Sequence, residues 1–204
     1  MINPLTIEER FVKKRFKRDG FKVKKIDVHN KYKAPDFKLL KSNFACLVEV
    51  KRGFKVGKVL EYLPNEAHQF DSSYAIEDYF RESVQKFKEH TRQNPEDKNL
   101  PYILTFVTPF WIDNELKWSD LPYKKYPLIS AVFIPKTTDP YAKKTWSMEL
   151  KELEKFIETN KSKIESQKRF VWQVIKNPYA KNVIKINYFP SVGEILNPIK
   201  TQTV

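Results

Sequence analysis

Apolar positions recur at helical spacing near the start of the chain. Ile7, Phe11, Val12 and Phe16 form one stripe, so the run from Asn3 to Phe21 reads as a helix. Thr6 with Glu9 three residues on fits a capping box. Gly20 is a plausible stop, and basic residues crowd the last turn, where the helix dipole favours them. The period then shortens to two. "FKVKKIDV" (21–28) and "DFKLL" (36–40) read as strands, and "KSN" reads as the turn after them. "FACLVEV" from Phe44 is apolar on both faces before its charges begin, which predicts a central strand.

Residues 52–73 look irregular, with a short helix expected near "KVLEYL" (58–63). From Ala75 to Gln93 a second helix is expected, with Ile76, Phe80, Ser83, Val84 and Phe87 on one side and "NPEDKNLP" ending it. "YILTFVT" (102–108) and "PLISAVFIP" (127–135) are apolar, β-branched strands separated by a loop rich in Trp, Pro and Tyr. A charged amphipathic helix is expected at 146–167. "RFVWQVI" (169–175) and "NVIKINYF" (182–189) then bracket "KNPYAK" as a hairpin. The tail from Pro190 shows little pattern, and no internal repeat is evident. The predicted class is α/β: a central mixed sheet flanked by helices. A core domain would span 1–146. A C-terminal helix and β-hairpin extension (147–204) would pack on the same domain.

Charge sharpens this picture. The chain of 204 residues carries 38 Lys and Arg against 25 Asp and Glu, a net +13. Residues 1–60 hold 17 Lys or Arg and 6 Asp or Glu, so +11 of that excess lies there. A basic half suits a polyanion, foremost nucleic acid, and the bland alternative is a soluble surface with no ligand. The single cysteine, Cys46, cannot form an internal disulfide and reads as a small core residue. The N-terminal stretch has no apolar signal region and no segment reaches membrane-span length. The expectation is a cytoplasmic, soluble protein with no membrane partner.

The chemistry concentrates in "APDFKLLKSNFACLVEVKRG" (34–53). Side chains alternate along a strand, so Ala45, Leu47, Glu49 and Lys51 share one face, while Cys46, Val48 and Val50 share the other. Asp36 opens the preceding strand, right after Pro35. If the two strands pair, Asp36 and Glu49 converge. Two carboxylates in one concavity repel unless a cation sits between them, and hard oxygen ligands suit Mg²⁺ or Mn²⁺. A lysine beside them can meet an attacking water or a phosphate oxygen, which is a set for phosphodiester hydrolysis.

At Pro35-Asp36 and Glu49-Val50-Lys51, with twelve positions between the acids, the chain resembles the PD-(D/E)xK nuclease superfamily. The order of helix, three strands, helix and strand over residues 5–108 also matches that family's restriction-endonuclease-like αβββαβ core. The resemblance implies that Asp36 and Glu49 bind the metal, with the Val50 carbonyl as a further ligand. Lys51 would position or activate the nucleophile. Glu9 on the first helix would support the site, with Glu8 the competing choice. In the second helix Gln85 could reach a phosphate in the cleft or simply face water, with Ser83, Lys86 and Lys88 nearby.

Each of these has a plainer reading. Glu49 and Lys51 could be a surface ion pair, Asp36 a turn residue after proline, and Glu9 a capping residue alone. His29 and His68 are isolated from any metal spacing, and His90 sits near a helix end, where a cation is favoured. Lys13, Lys14, Arg52 and Lys55, with Lys58, would contact phosphates without reading bases. Trp111, Trp118, Tyr123 and Tyr126 could stack on bases or pack their loop down.

The reading is a Mg²⁺- or Mn²⁺-dependent endonuclease with DNA ahead of RNA as substrate, acting alone, as a homodimer or in a larger nucleoprotein assembly. The alternatives are a catalytically silent relative that binds nucleic acid, and an assembly subunit whose basic half meets an acidic partner.

Overall fold

The computed structural model describes residues 5–26, 31–52, 72–107, 123–137 and 170–197. The expected helices at 58–63 and 146–167, together with Lys55, Lys58, His29, His68, Trp111 and Trp118, lie outside the described residues.

Helix α1 (Ile7–Arg18) begins where the capping box predicts. Thr6 accepts from the Glu9 N–H, and the Glu9 side chain accepts from the Thr6 N–H. Gly20 follows with φ +87°, a left-handed conformation that glycine adopts without strain. Strands β1 (Lys22–Lys25), β2 (Phe37–Lys41) and β3 (Phe44–Arg52) form an antiparallel meander. Helix α2 (Ser72–Gln93) carries the chain over to β4 (Tyr102–Val107), which runs parallel to β3. Strand β5 (Ala131–Thr137) lies parallel to β4, and β6 (Phe170–Lys176) is antiparallel to β5.

Among the described residues the sheet is mixed, has seven strands, and keeps them in chain order from β1 to β7 (Val192–Leu196). Alternate residues of the same strands feed two cores. Cys46, Val48, Ile103, Phe133 and Val174 pack with Val12 and Phe16 of α1. Leu47, Leu104, Val132 and Ile175 pack with Phe80 and Phe87 of α2. The sheet is therefore sandwiched between the two helices, and β3 is apolar on both faces, as a covered central strand should be.

The expected C-terminal hairpin is not formed. Strand β6 pairs antiparallel with β5 and parallel with β7, and residues 182–189 contain a 3₁₀ turn (Ile186–Tyr188) rather than a strand. Their apolar residues serve the core instead of a ladder. Ile184 and Phe189 are buried among the α1-side residues, while Val183 faces out. The true strand lies in the tail that looked patternless. Gly193 hides it from a propensity reading, yet a Cβ there would come within 2.8 Å of Val171 on β6, so close strand approach requires the glycine.

The C-terminal part is tied to the N-terminal part at several points. Trp172 stacks on Phe16 with centroids 5.3 Å apart. Ser191 donates to Asp19 Oδ2 at 2.7 Å, and Lys41 Nζ donates to the Tyr188 carbonyl at 2.9 Å. Among the described residues no helix is long and apolar enough to cross a membrane.

Candidate metal and phosphodiester site

The antiparallel pairing of β2 with β3 aligns Phe37 with Val48, so Asp36, one residue earlier, falls opposite Glu49, between Val48 and Val50. Its N–H donates to the Val48 carbonyl at 3.0 Å, and its Oδ2 accepts from the Val50 N–H at 2.7 Å. In a strand the N–H and C=O of one residue point to the same side. The Val50 carbonyl is thus directed toward the Asp36 edge, beyond the last β2–β3 pair.

Glu49 and Lys51 project to the α2 face, and both are buried. Glu49 Oε1 accepts from Lys86 Nζ at 2.6 Å and lies 3.1 Å from Lys51 Nζ. Lys51 also donates to Glu82 Oε2 at 2.7 Å and sits 5.5 Å from the Tyr79 ring centroid. Glu49 Oε2 is buried with no hydrogen-bond partner among the described residues.

The charges are unevenly balanced. Burial, then the nearby Glu49 charge, push the Asp36 carboxyl up to about 7, against the Val50 hydrogen bond. Burial disfavours the Lys86 ammonium, but Glu49 and Asp36 outweigh it and hold its pKa above the ordinary value. The Lys51 hydrogen bond lowers Glu82.

A divalent cation fits this donor set. Mg²⁺ is held by one or two carboxylates and keeps its remaining positions for water and phosphate. Asp36, Glu49 and the Val50 carbonyl supply that number. Mutual repulsion of the two acids is what a cation would relieve. Among the described residues no group of three or more His, Cys, Asp or Glu side chains converges.

The remaining candidates divide. Glu9 is buried on α1, its Oε2 engaged by the Thr6 N–H at 2.7 Å and its Oε1 3.4 Å from Lys25 Nζ. It contributes electrostatically to Asp36, but capping and Lys25 account for its position. Gln85 is exposed and not brought to the cluster. The buried stripe of α2 runs through Phe80, Ser83, Phe87 and His90, which turns Lys86 toward Glu49 and Gln85 away. Lys86, named from the sequence only as a neighbour of Gln85, is thus the residue of this helix that reaches Glu49; the signal was its place three residues after Ser83, a helical neighbour. Lys13 is half-buried and Lys14 exposed on α1. The backbone of Arg52 ends β3, and its side chain lies outside the described residues. Tyr123 is buried and Tyr126 partly buried against Phe80, so neither presents a free stacking face.

No family model matches the chain, and no curated protein or solved structure matches it.

Proposed function

We propose that this chain is a metal-dependent nuclease of the restriction-endonuclease-like class, cleaving phosphodiester bonds in DNA ahead of RNA. The observation that carries the reading is the convergence of Asp36 and Glu49 at the end of a buried strand, with Lys51 on Glu49. The order of α1, three antiparallel strands, crossover helix and parallel β4 supports the same class.

Asp36, Glu49 and the Val50 carbonyl would hold Mg²⁺ or Mn²⁺. When bound, that ion supplies Lewis-acid polarisation of a phosphoryl oxygen. Lys51 is fixed between Glu49, Glu82 and the Tyr79 ring, so its ammonium has one orientation in which to meet a phosphate oxygen or order an attacking water. Lys86 neutralises Glu49 while the metal is absent. The basic N-terminal third supplies sequence-independent attraction to the backbone.

The test is cleavage of supercoiled and linear DNA with Mg²⁺ or Mn²⁺, against EDTA and against Asp36→Ala and Lys51→Ala. Metal-dependent nicking lost in both variants is expected. Cleavage by the variants at the wild-type rate overturns the assignment.

One observation favours a second reading, a silent nucleic-acid-binding relative. Both Lys51 and Lys86 lie on Glu49 Oε1, so the cluster carries its own cations. Salt-dependent DNA binding with no cleavage in either metal would select it.

A further inference from the structure

Beneath Glu49 lies a second layer of polar atoms that the sequence reading did not assign. Register across β3 and β4 pairs Leu47 with Tyr102 and Glu49 with Leu104. Leu47, Tyr102 and Leu104 all enter the α2-side core, so Tyr102 is a diagonal neighbour of Glu49 on one face. Its ring stacks on Phe87 with centroids 5.0 Å apart. Ser83 lies one turn before Phe87 on the same buried stripe and three residues before Lys86, which grips the other Glu49 oxygen.

Glu49 Oε2, Ser83 Oγ and Tyr102 Oη are all buried, and none has a hydrogen-bond partner of ordinary geometry among the described residues. Burial first, and then the charges of Glu49 and Asp36, raise the Tyr102 phenol, while Ser83 beside it acts in the opposite sense. Buried polar atoms are almost always satisfied, and three together meet the two to four contacts that one buried water requires. A carboxylate accepts only, whereas each hydroxyl can donate.

We propose that Ser83 and Tyr102 are positioning residues for Glu49, their hydroxyls forming a polar floor that fixes Oε2, directly or through one shared water. The inference rests on the nuclease reading for its consequence. With Oε2 held from below and Oε1 facing Lys51 and Lys86, the carboxylate is presented to the ion in one orientation. Groups that orient a metal-binding side chain typically change affinity or activity by about 10–100-fold when removed.

The experiment is Mn²⁺ titration of the full chain, followed by calorimetry and by the Mn²⁺ electron paramagnetic resonance spectrum, for wild type, Tyr102→Phe and Ser83→Ala. A stability cycle in EDTA combines Tyr102→Phe with Glu49→Gln. The expected result is Mn²⁺ binding weakened about 10-fold or more in each single variant with an altered spectrum. Each variant should still unfold cooperatively, and the fall in the midpoint caused by Tyr102→Phe should change in the Glu49→Gln background. Wild-type Mn²⁺ affinity in both variants overturns the proposal. Wild-type protein that binds no Mn²⁺ removes the nuclease reading instead. The cycle then decides the floor alone: additive midpoint shifts overturn it, and non-additive shifts support it.

Discussion

Helix α2 carries two buried charged clusters about one turn apart, and they are built on opposite terms. Around His90 every polar group has a partner. His90 Nε2 meets Asp97 Oδ2 at 3.0 Å, Lys38 bonds Asp97 Oδ1, and Asn94 Nδ2 donates to the Tyr32 hydroxyl at 2.9 Å. The Lys33 N–H adds a bond to Glu89 at 3.0 Å. This latch fastens the connector before Asp36 to the helix. Around Glu49, burial is just as deep, but Glu49 Oε2, Ser83 Oγ and Tyr102 Oη are left over, and Asp36 is pushed up to about 7. Buried charge alone therefore does not mark a functional site. Incomplete bonding is what separates the proposed site from the latch, and a ligand that completes the set would offset its cost.

The sharpest way to break this comparison is in the latch. Asp97→Ala strands His90 and Lys38 together, and removing one partner of a buried ionic set costs about 3–5 kcal/mol. A large fall in the urea midpoint is expected, and a shift no greater than that of a surface substitution would remove the distinction.

The corresponding change in the site should have the opposite sign. In EDTA, Asp36 is protonated in both states below its ordinary value of 3.8. Between 3.8 and about 7 the unfolded chain releases the proton while the folded one keeps it, so stability falls as pH rises through that window. Above about 7 the penalty is complete, at most about 4 kcal/mol. Asp36→Asn removes it. The variant should be more stable than wild type at pH 8, with the gap closing by about pH 4. Thermal melts across that range read it out, and a variant less stable at pH 8 would count against the strained-acid account.

Lys86→Met is a smaller and two-sided test. Glu49 is left to Lys51, so metal-free protein should lose about 1–3 kcal/mol. Mn²⁺ should bind more tightly, since no ammonium competes for Oε1. The smallest effect belongs to Glu82→Gln. Its side chain is half exposed, so stability should change by about 0–1 kcal/mol in chemical denaturation.

Local rules made much of this legible. The capping box, the Gly20 stop and the double-sided apolar run of β3 are short-range signals, and they placed α1 and the central strand. The convergence of Asp36 and Glu49 followed from pleat and pairing alone. Other features depend on distant contacts. The rotation of α2 is set by Phe80, Ser83, Phe87 and His90 against the sheet, which decided Lys86 over Gln85. The apolar residues at 184–189 looked like a strand because burial against a core and burial in a ladder leave the same composition. Strand β7 is half exposed along its length, so it left almost no alternation to read.

The stacking of Trp172 on Phe16 sets a constraint on the order of synthesis. An N-terminal helix emerges from the ribosome with an aromatic face whose partners, Trp172 and Phe189, are the last third of the chain away. Phe16 also meets Phe21 and Phe133, but its contacts with Trp172 and Phe189 wait until those residues are made. Completing this core therefore depends on contacts of long sequence separation, which slow folding. A fragment ending near residue 146 would retain every acid and lysine of the candidate site, yet leave the α1-side core uncovered.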